Sequence, residues 1–174
     1  DILDNVQLST LAATLIHETA HLLSLGTTQV ETYLPLFEHP FDENLFEQGE
    51  AACDTYFVSE GCSLPGSYLA QFYQTFWVGL MDEWTGIQRE KKDVDKYTRL
   101  LAKFYDHHAD EFVSSYAVTS PEEDLAESFL YFILAEGSTG KPAADGKIRF
   151  FRQFPELVIL RQQLRLNLCT LWEP

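Results

Sequence analysis

The sequence predicts one mainly α domain, with room for a small edge sheet that would make it α+β. Three observations carry that expectation. The chain has 174 residues, enough for one real core and short for two. Hydrophobic residues make up 45% and aromatics 14%, which points to a packed fold and away from disorder. Five segments repeat their apolar residues with a helical period, and glycines and prolines punctuate the stretches between them.

The first segment runs over about residues 5–25. Leu8, Leu11, Ala12, Leu15, Ile16, Thr19, Leu22 and Leu23 fall into one apolar stripe. Asp4 with Gln7 suits the start of this helix, and Gly26 suits its end. Residues 26–63 are harder to read. Val30 to Phe37 suits an extended segment, and Pro35, Pro40 and Gly49 argue against one long element. This stretch is a candidate rim for a site or a partner-binding loop.

A second helix is predicted over about residues 65–84, after Ser63 and Pro65. Its aromatic stripe (Leu69, Phe72, Tyr73, Phe76, Trp77, Leu80, Met81) reads as core, and Gly86 ends it. A third fits 93–112, through Tyr97, Leu100, Leu101, Phe104, Tyr105 and His108. A fourth starts at Ser120-Pro121 and runs to about residue 136, stopped by Gly137, Gly140 and Pro142. Residues 148–154 are extended or helical. A fifth helix fits 155–171, with Leu157, Leu160, Leu164, Leu168 and Leu171 in phase. No internal repeat or low-complexity tract interrupts the chain, so residues 1–174 read as a single domain. Asp1 in place of a starting Met, with Met81 the single methionine, suggests a domain excised from a longer precursor.

Charge narrows the partners. The formal net charge is -15, with 27 acidic and 12 basic residues. Such a chain repels nucleic acid and anionic membranes, because both are polyanions. No stretch approaches the ~20 apolar residues that span a bilayer, so membrane insertion is not expected. Of the three cysteines, Cys53 and Cys62 flank a short segment holding the turn pair Glu60-Gly61, and a local disulfide fits there. That pairing would place the protein in a secreted or cell-envelope setting; two buried thiols in the cytoplasm are the alternative. None of the cysteines has the spacing of a structural zinc site.

The first helix carries His17-Glu18-Thr19-Ala20-His21. Two histidines four apart on a helix present both imidazoles on one face, where they can chelate a single ion. The Glu between them projects beside the metal, where it can take a proton from a bound water and pass it to a leaving amine. Chance yields such a pentapeptide in roughly one sequence in a hundred of this composition. Here it lies in the most regular helix, unbroken by Gly or Pro, at the border of the apolar stripe. The competing account is a pair of ordinary surface histidines.

A catalytic zinc site needs a third protein ligand and one open position. Ser24 and Thr27 stand where a further Gly and His would extend the motif in the metzincin manner, so the third ligand comes from farther along. Candidates are His39, His107, His108, the run Glu122-Glu123-Asp124, and Glu127. The histidines fit structural roles. Glu123 and Glu127 are four apart and share a face, so one can bind metal while the other orients a ligating His. A capping box from Ser120 to Glu123 accounts for Glu123 alone, but Glu127 sits among apolar residues and wants a cation or strong donor.

The segment from Tyr116 through Ser120-Pro121-Glu122-Glu123-Asp124-Leu125-Ala126-Glu127 resembles the second-helix signature of gluzincin-type metallopeptidases. Its Tyr-x6-Glu-x3-Glu arrangement is similar to that of the catalytic domain of anthrax lethal factor and related secreted bacterial peptidases. The resemblance covers the two short motifs, and the residues between them match no family in detail. It implies a zincin-like domain binding Zn2+ through His17, His21 and Glu123, with Glu18 as general base. Glu127, and after it Asp124, would support the ligands, and Tyr116 would donate to the developing oxyanion. The implied activity is hydrolysis of a peptide or protein substrate. Two other functions fit the same residues: a non-catalytic binding module on this fold, and a zinc hydrolase of non-peptide amides.

Overall fold

A computed structural model describes residues 2–171, with side chains described for residues 10–167. The fold is mainly helical, with one small sheet. A first helix, α1 (Ile2–Ser24), leads into strand β1 (Val30–Thr32), the short helix α2 (Leu34–Glu38) and α3 (Glu43–Ala52). Strands β2 (Phe57–Val58) and β3 (Gly61–Ser63) follow, then α4 (Tyr68–Phe76), α5 (Met81–Gln88) and α6 (Val94–His107). A 3-10 turn, Ala117–Thr119, precedes α7 (Pro121–Leu134). The chain ends in α8 (Pro142–Phe150), a 3-10 turn (Phe151–Gln153) and α9 (Pro155–Leu171). No helix among the described residues is long and apolar enough to cross a membrane.

The central element is α7. Its side chains Leu125, Ala126, Phe129, Phe132 and Ile133 are buried, and α1, α4, α8 and α9 all pack on it. Both its ends are satisfied chemically. The Ser120 hydroxyl accepts from the Glu123 amide at 3.3 Å, with Pro121 in the first turn where its missing N–H costs nothing. At the other end Arg161 donates to the Ala135 carbonyl at 3.1 Å, and Arg165 to Ile133 and Leu134 at 3.2 and 3.1 Å. Cations there also complement the negative end of the helix.

Against α7, α1 turns a face that differs from the expected stripe. Ile16, Ala20 and Ser24 are buried and Leu23 is packed against the core. Leu11, Leu15 and Leu22 are 54%, 57% and 78% exposed. At about 100° per residue, these three leucines cluster within about 40° on the far side of the helix from Ile16 and Ala20. The helix thus carries two apolar stripes, and only the one against α7 is covered. The cap expected from Asp4 and Gln7, and Leu8, Leu168 and Cys169, lie outside the described side chains; so does the Leu171 side chain.

The expected helix over 65–84 is two helices, α4 and α5, separated at Trp77–Leu80. Trp77, the C-cap of α4, is fully buried and donates its indole N–H to Asp124 at 2.8 Å, and Gly79 lies within the break. Only Val30–Thr32 of the expected extended segment is a strand, and Pro35 starts a helix in the rest. Residues 148–153 are helical, and Phe154 is extended between the 3-10 turn and α9.

The sheet has the order β1-β3-β2, antiparallel throughout, with Val30 opposite Ser63 and Phe57 opposite Cys62. Gly61 has φ +140, and a Cβ there would lie 2.0 Å from the Glu31 carbonyl oxygen, so the strand crossing needs glycine. The Cys53–Cys62 disulfide forms, with Cα atoms 5.5 Å apart. It ties the end of α3 to β3, and closing so short a loop contributes about 2.5 kcal/mol on chain-entropy grounds.

Candidate metal centre and active site

The pairing of α1 with α7 brings three ligand-type atoms together: His17 Nε2, His21 Nε2 and Glu123 Oε2. Their separations are 3.2 Å between the histidines, 3.0 Å from His17 to Glu123 and 3.4 Å from His21 to Glu123. Bonds of 2.0–2.1 Å to a tetrahedral zinc span an edge of about 3.3 Å, so the donor set has the size such an ion needs.

The protonation pattern argues the same way. Glu127 Oε1 lies 2.9 Å from His17 Nδ1 and Glu123 Oε2 lies 3.0 Å from its Nε2, so each ring nitrogen faces a carboxylate; a cation on Nε2 would leave the ring proton on Nδ1, towards Glu127. The Ser114 hydroxyl donates to Glu127 Oε2 at 2.6 Å and accepts from the Ala117 amide at 3.2 Å. The Glu127 carboxylate is thereby fixed from both sides. His17 Nε2, Glu123 Oε2 and His21 Nε2 converge on one point, an arrangement that a cation would satisfy. Without a metal, a proton serves. Hydrogen bonding to Glu123 raises the His21 pKa against the opposing effect of burial, and the same contact holds Glu123 below its usual range. The His21 Nδ1 atom is buried with no hydrogen-bond partner.

The other expected residues divide. Glu18 is exposed, on the side of α1 next to the uncovered leucines, and its charge is felt by both His21 and Tyr116. Tyr116 stands over His17 with ring centroids 5.9 Å apart, and its hydroxyl is pushed above its ordinary pKa by burial and by the Glu123 carboxylate. Asp124 is corrected: it neither binds at the centre nor supports a ligand. One residue beyond Glu123, it is rotated into the core, where it is fully buried and pairs with Lys147 Nζ at 2.6 Å and Trp77 Nε1 at 2.8 Å. His39 is exposed at the end of α2. His107 and His108 form a second group with Glu83, away from the centre. There His108 already holds Glu111 at 2.8 Å and Glu83 at 3.1 Å, as a structural histidine does.

Two contributors, Ser114 and Tyr56, were not foreseen from the sequence. Ser114 follows no spacing rule that ties it to Glu127. The Tyr56 hydroxyl donates at 3.0 Å to Glu122, one of the candidate carboxylates, and links the sheet to the start of α7; burial, ahead of all other influences, raises the pKa of both groups. A tyrosine packed beside an acidic helix start is a signal visible only once the fold is known.

Comparison of the chain with family models, with curated proteins and with solved structures gives no match.

Proposed function

We propose that the chain is a zinc-dependent metallopeptidase domain of the gluzincin type. The observation that carries this reading is the convergence of His17 Nε2, His21 Nε2 and Glu123 Oε2 at tetrahedral-edge distances, with Glu127 against the other ring nitrogen of His17. Zinc, when bound, supplies a water of lowered pKa and a Lewis acid for the scissile carbonyl. His17, His21 and Glu123 would hold it, and Glu18 and Tyr116 are exposed to act on a substrate there. Glu18 takes the proton from the attacking water and delivers it to the leaving amine. The Tyr116 hydroxyl, kept protonated by its raised pKa, donates a hydrogen bond to the oxyanion that develops on the substrate. The Cys53–Cys62 disulfide supports a secreted or cell-envelope location.

The test is Glu18→Gln. It should retain one zinc per chain by elemental analysis and lose about 10²–10⁴-fold in cleavage of a peptide mixture, the usual range for a general base. A wild-type protein that takes up no zinc, or a Glu18→Gln protein as active as wild type, refutes the proposal.

A further inference from the structure

A pocket of about 230 Å³ lies where the end of α7 meets α8, the 3-10 turn after it and α9. It is at the opposite end of α7 from Glu123, about 18 Å away along the helix. Arg149, Arg152 and Arg161 line it, one each from α8, the 3-10 turn and α9. The chain has six arginines and a formal net charge of -15, yet four of the six fall between residues 149 and 165. The cations of an acidic protein are therefore gathered on one face.

The partners of these cations are incomplete. Arg161 donates to the Phe132 and Ala135 carbonyls, and Arg165 to those of Ile133 and Leu134, so these two finish α7. Arg149 and Arg152 are exposed and make no hydrogen bond or ion pair among the described residues. The two carboxylates at the rim are committed elsewhere. Asp145 accepts from the Ser138 hydroxyl and from the Thr139 amide and hydroxyl, the last two at 2.8 Å, and its charge reaches Arg149 without an ion pair. Glu136 is paired with Arg165 at 2.7 Å. Arg161 is held below its ordinary pKa by burial, and then by repulsion from Arg165 and Arg152. An anion in the pocket relieves that repulsion and supplies the missing acceptors.

The walls define the anion. A planar carboxylate offers two oxygens, and a single arginine fork can occupy both. Three arginines from three elements suit a group with more acceptors, and a phosphate monoester presents three terminal oxygens and about two negative charges. Phe132 and Ile148 add apolar surface to the same pocket, which suits an organic group on the ester. A water takes up about 30 Å³ in the liquid, so there is room for a polyatomic anion with a small substituent.

We propose that this pocket binds the phosphate monoester of a small organic group. Arg149 and Arg152 hold the phosphoryl oxygens, Arg161 is the third cation, and Phe132 and Ile148 pack on the organic part. The site is separate from the metal centre and stands whether or not the chain is a peptidase.

The experiment is calorimetric titration at low ionic strength with three probes: phenyl phosphate, inorganic phosphate and benzoate. Wild type should bind one phenyl phosphate per chain, at least tenfold more tightly than benzoate and more tightly than inorganic phosphate. Arg149→Gln and Arg152→Gln should each weaken it about tenfold or more, the scale of a lost charge-assisted hydrogen bond. Neither side chain has a partner to lose, so both variants should keep the wild-type denaturation midpoint. Arg99→Gln, an exposed arginine on α6, should bind as wild type does. No binding of phenyl phosphate, equal affinity for benzoate, or binding unchanged in the Arg149→Gln/Arg152→Gln double variant overturns the proposal. So does binding that the double variant keeps and Glu123→Ala removes, since the anion would then sit at the metal centre. Inorganic phosphate bound as tightly as phenyl phosphate overturns the assignment to an organic ester.

Discussion

Replacing Glu127 with alanine removes the carboxylate that faces Nδ1 of His17. In the intact protein Glu127 Oε1 sits 2.9 Å from Nδ1, and Oε2 receives the Ser114 hydroxyl at 2.6 Å. The ring is only 12% exposed, so a lost partner is poorly replaced by water. Without Glu127 the imidazole can carry its proton on Nε2, the atom that faces Glu123 and His21, and metal binding must first displace it. Loss of such an outer partner typically weakens metal binding 10–100-fold, or about 1.4–2.7 kcal/mol. Glu127→Gln keeps an acceptor for Nδ1 but loses the charge, and should fall nearer the lower end. Ser114→Ala, which only loosens the carboxylate, should cost less than either. Competition against a chromophoric zinc chelator at fixed pH measures all three. Wild-type affinity in Glu127→Ala would refute the reasoning. A Glu123→Ala protein that binds zinc normally, beside a Glu127→Ala protein that does not, would reverse the two roles.

Two predictions concern stability. Asp124→Ala strands the Lys147 ammonium in the core, where it is fully buried over the Phe112 ring at 3.8 Å; the expected loss is about 3–5 kcal/mol by chemical denaturation, and adding Lys147→Met should recover much of it. A single variant as stable as wild type would show that the pair is dispensable. For His108, burial opposes the charge, but the hydrogen bonds it donates to Glu83 and Glu111 outweigh it and raise the pKa above 6.5. The folded state thus binds the proton more tightly than the unfolded chain does. This stabilisation is fully present below pH 6.5 and is lost as pH rises through the raised folded value. Because Glu83 is 48% exposed, the effect should stay below about 1 kcal/mol. His108→Gln should remove that fall from denaturation midpoints measured across the window, and an unchanged profile would rule the pairing out as its cause.

What could be read from the sequence was what is decided locally. Ser120-Pro121 marks the start of α7 because a hydroxyl cap and a proline in the first turn act within four residues. Asp93 does the same for α6, accepting from the Lys96 amide at 3.0 Å. The break at Trp77–Leu80 holds Gly79, a local signal outweighed by an apolar phase that runs straight through it, and Trp77 beside it is held by Asp124, 47 residues away. Residues 26–63 were illegible for a different reason. Their elements are 2 to 10 residues long, too short for a period to develop, and they are held by cross-strand pairing and a disulfide. In α1 the period was clear but its direction was not, since Leu11, Leu15 and Leu22 are as apolar as the face that is buried.

The four carboxylates of α7 show why the choice of ligand stayed open until the helix had a neighbour. At about 100° per residue, Glu123 and Glu127 differ by about 40°, whereas Glu122 and Asp124 lie about 100° to either side of Glu123. Those angles alone say that Glu123 and Glu127 act together and the other two do not, but not which pair faces a histidine. Packing settles it. Leu125, Phe129 and Phe132 turn inward and carry Asp124 with them to Lys147. Glu122 is turned to the sheet and Tyr56. The remaining face meets α1, where His17 bonds Glu127 through one nitrogen and Glu123 through the other. A single imidazole thereby separates the two glutamates: on the proposed reading the carboxylate shared with His21 would hold the cation, and the one on Nδ1 would orient the ring.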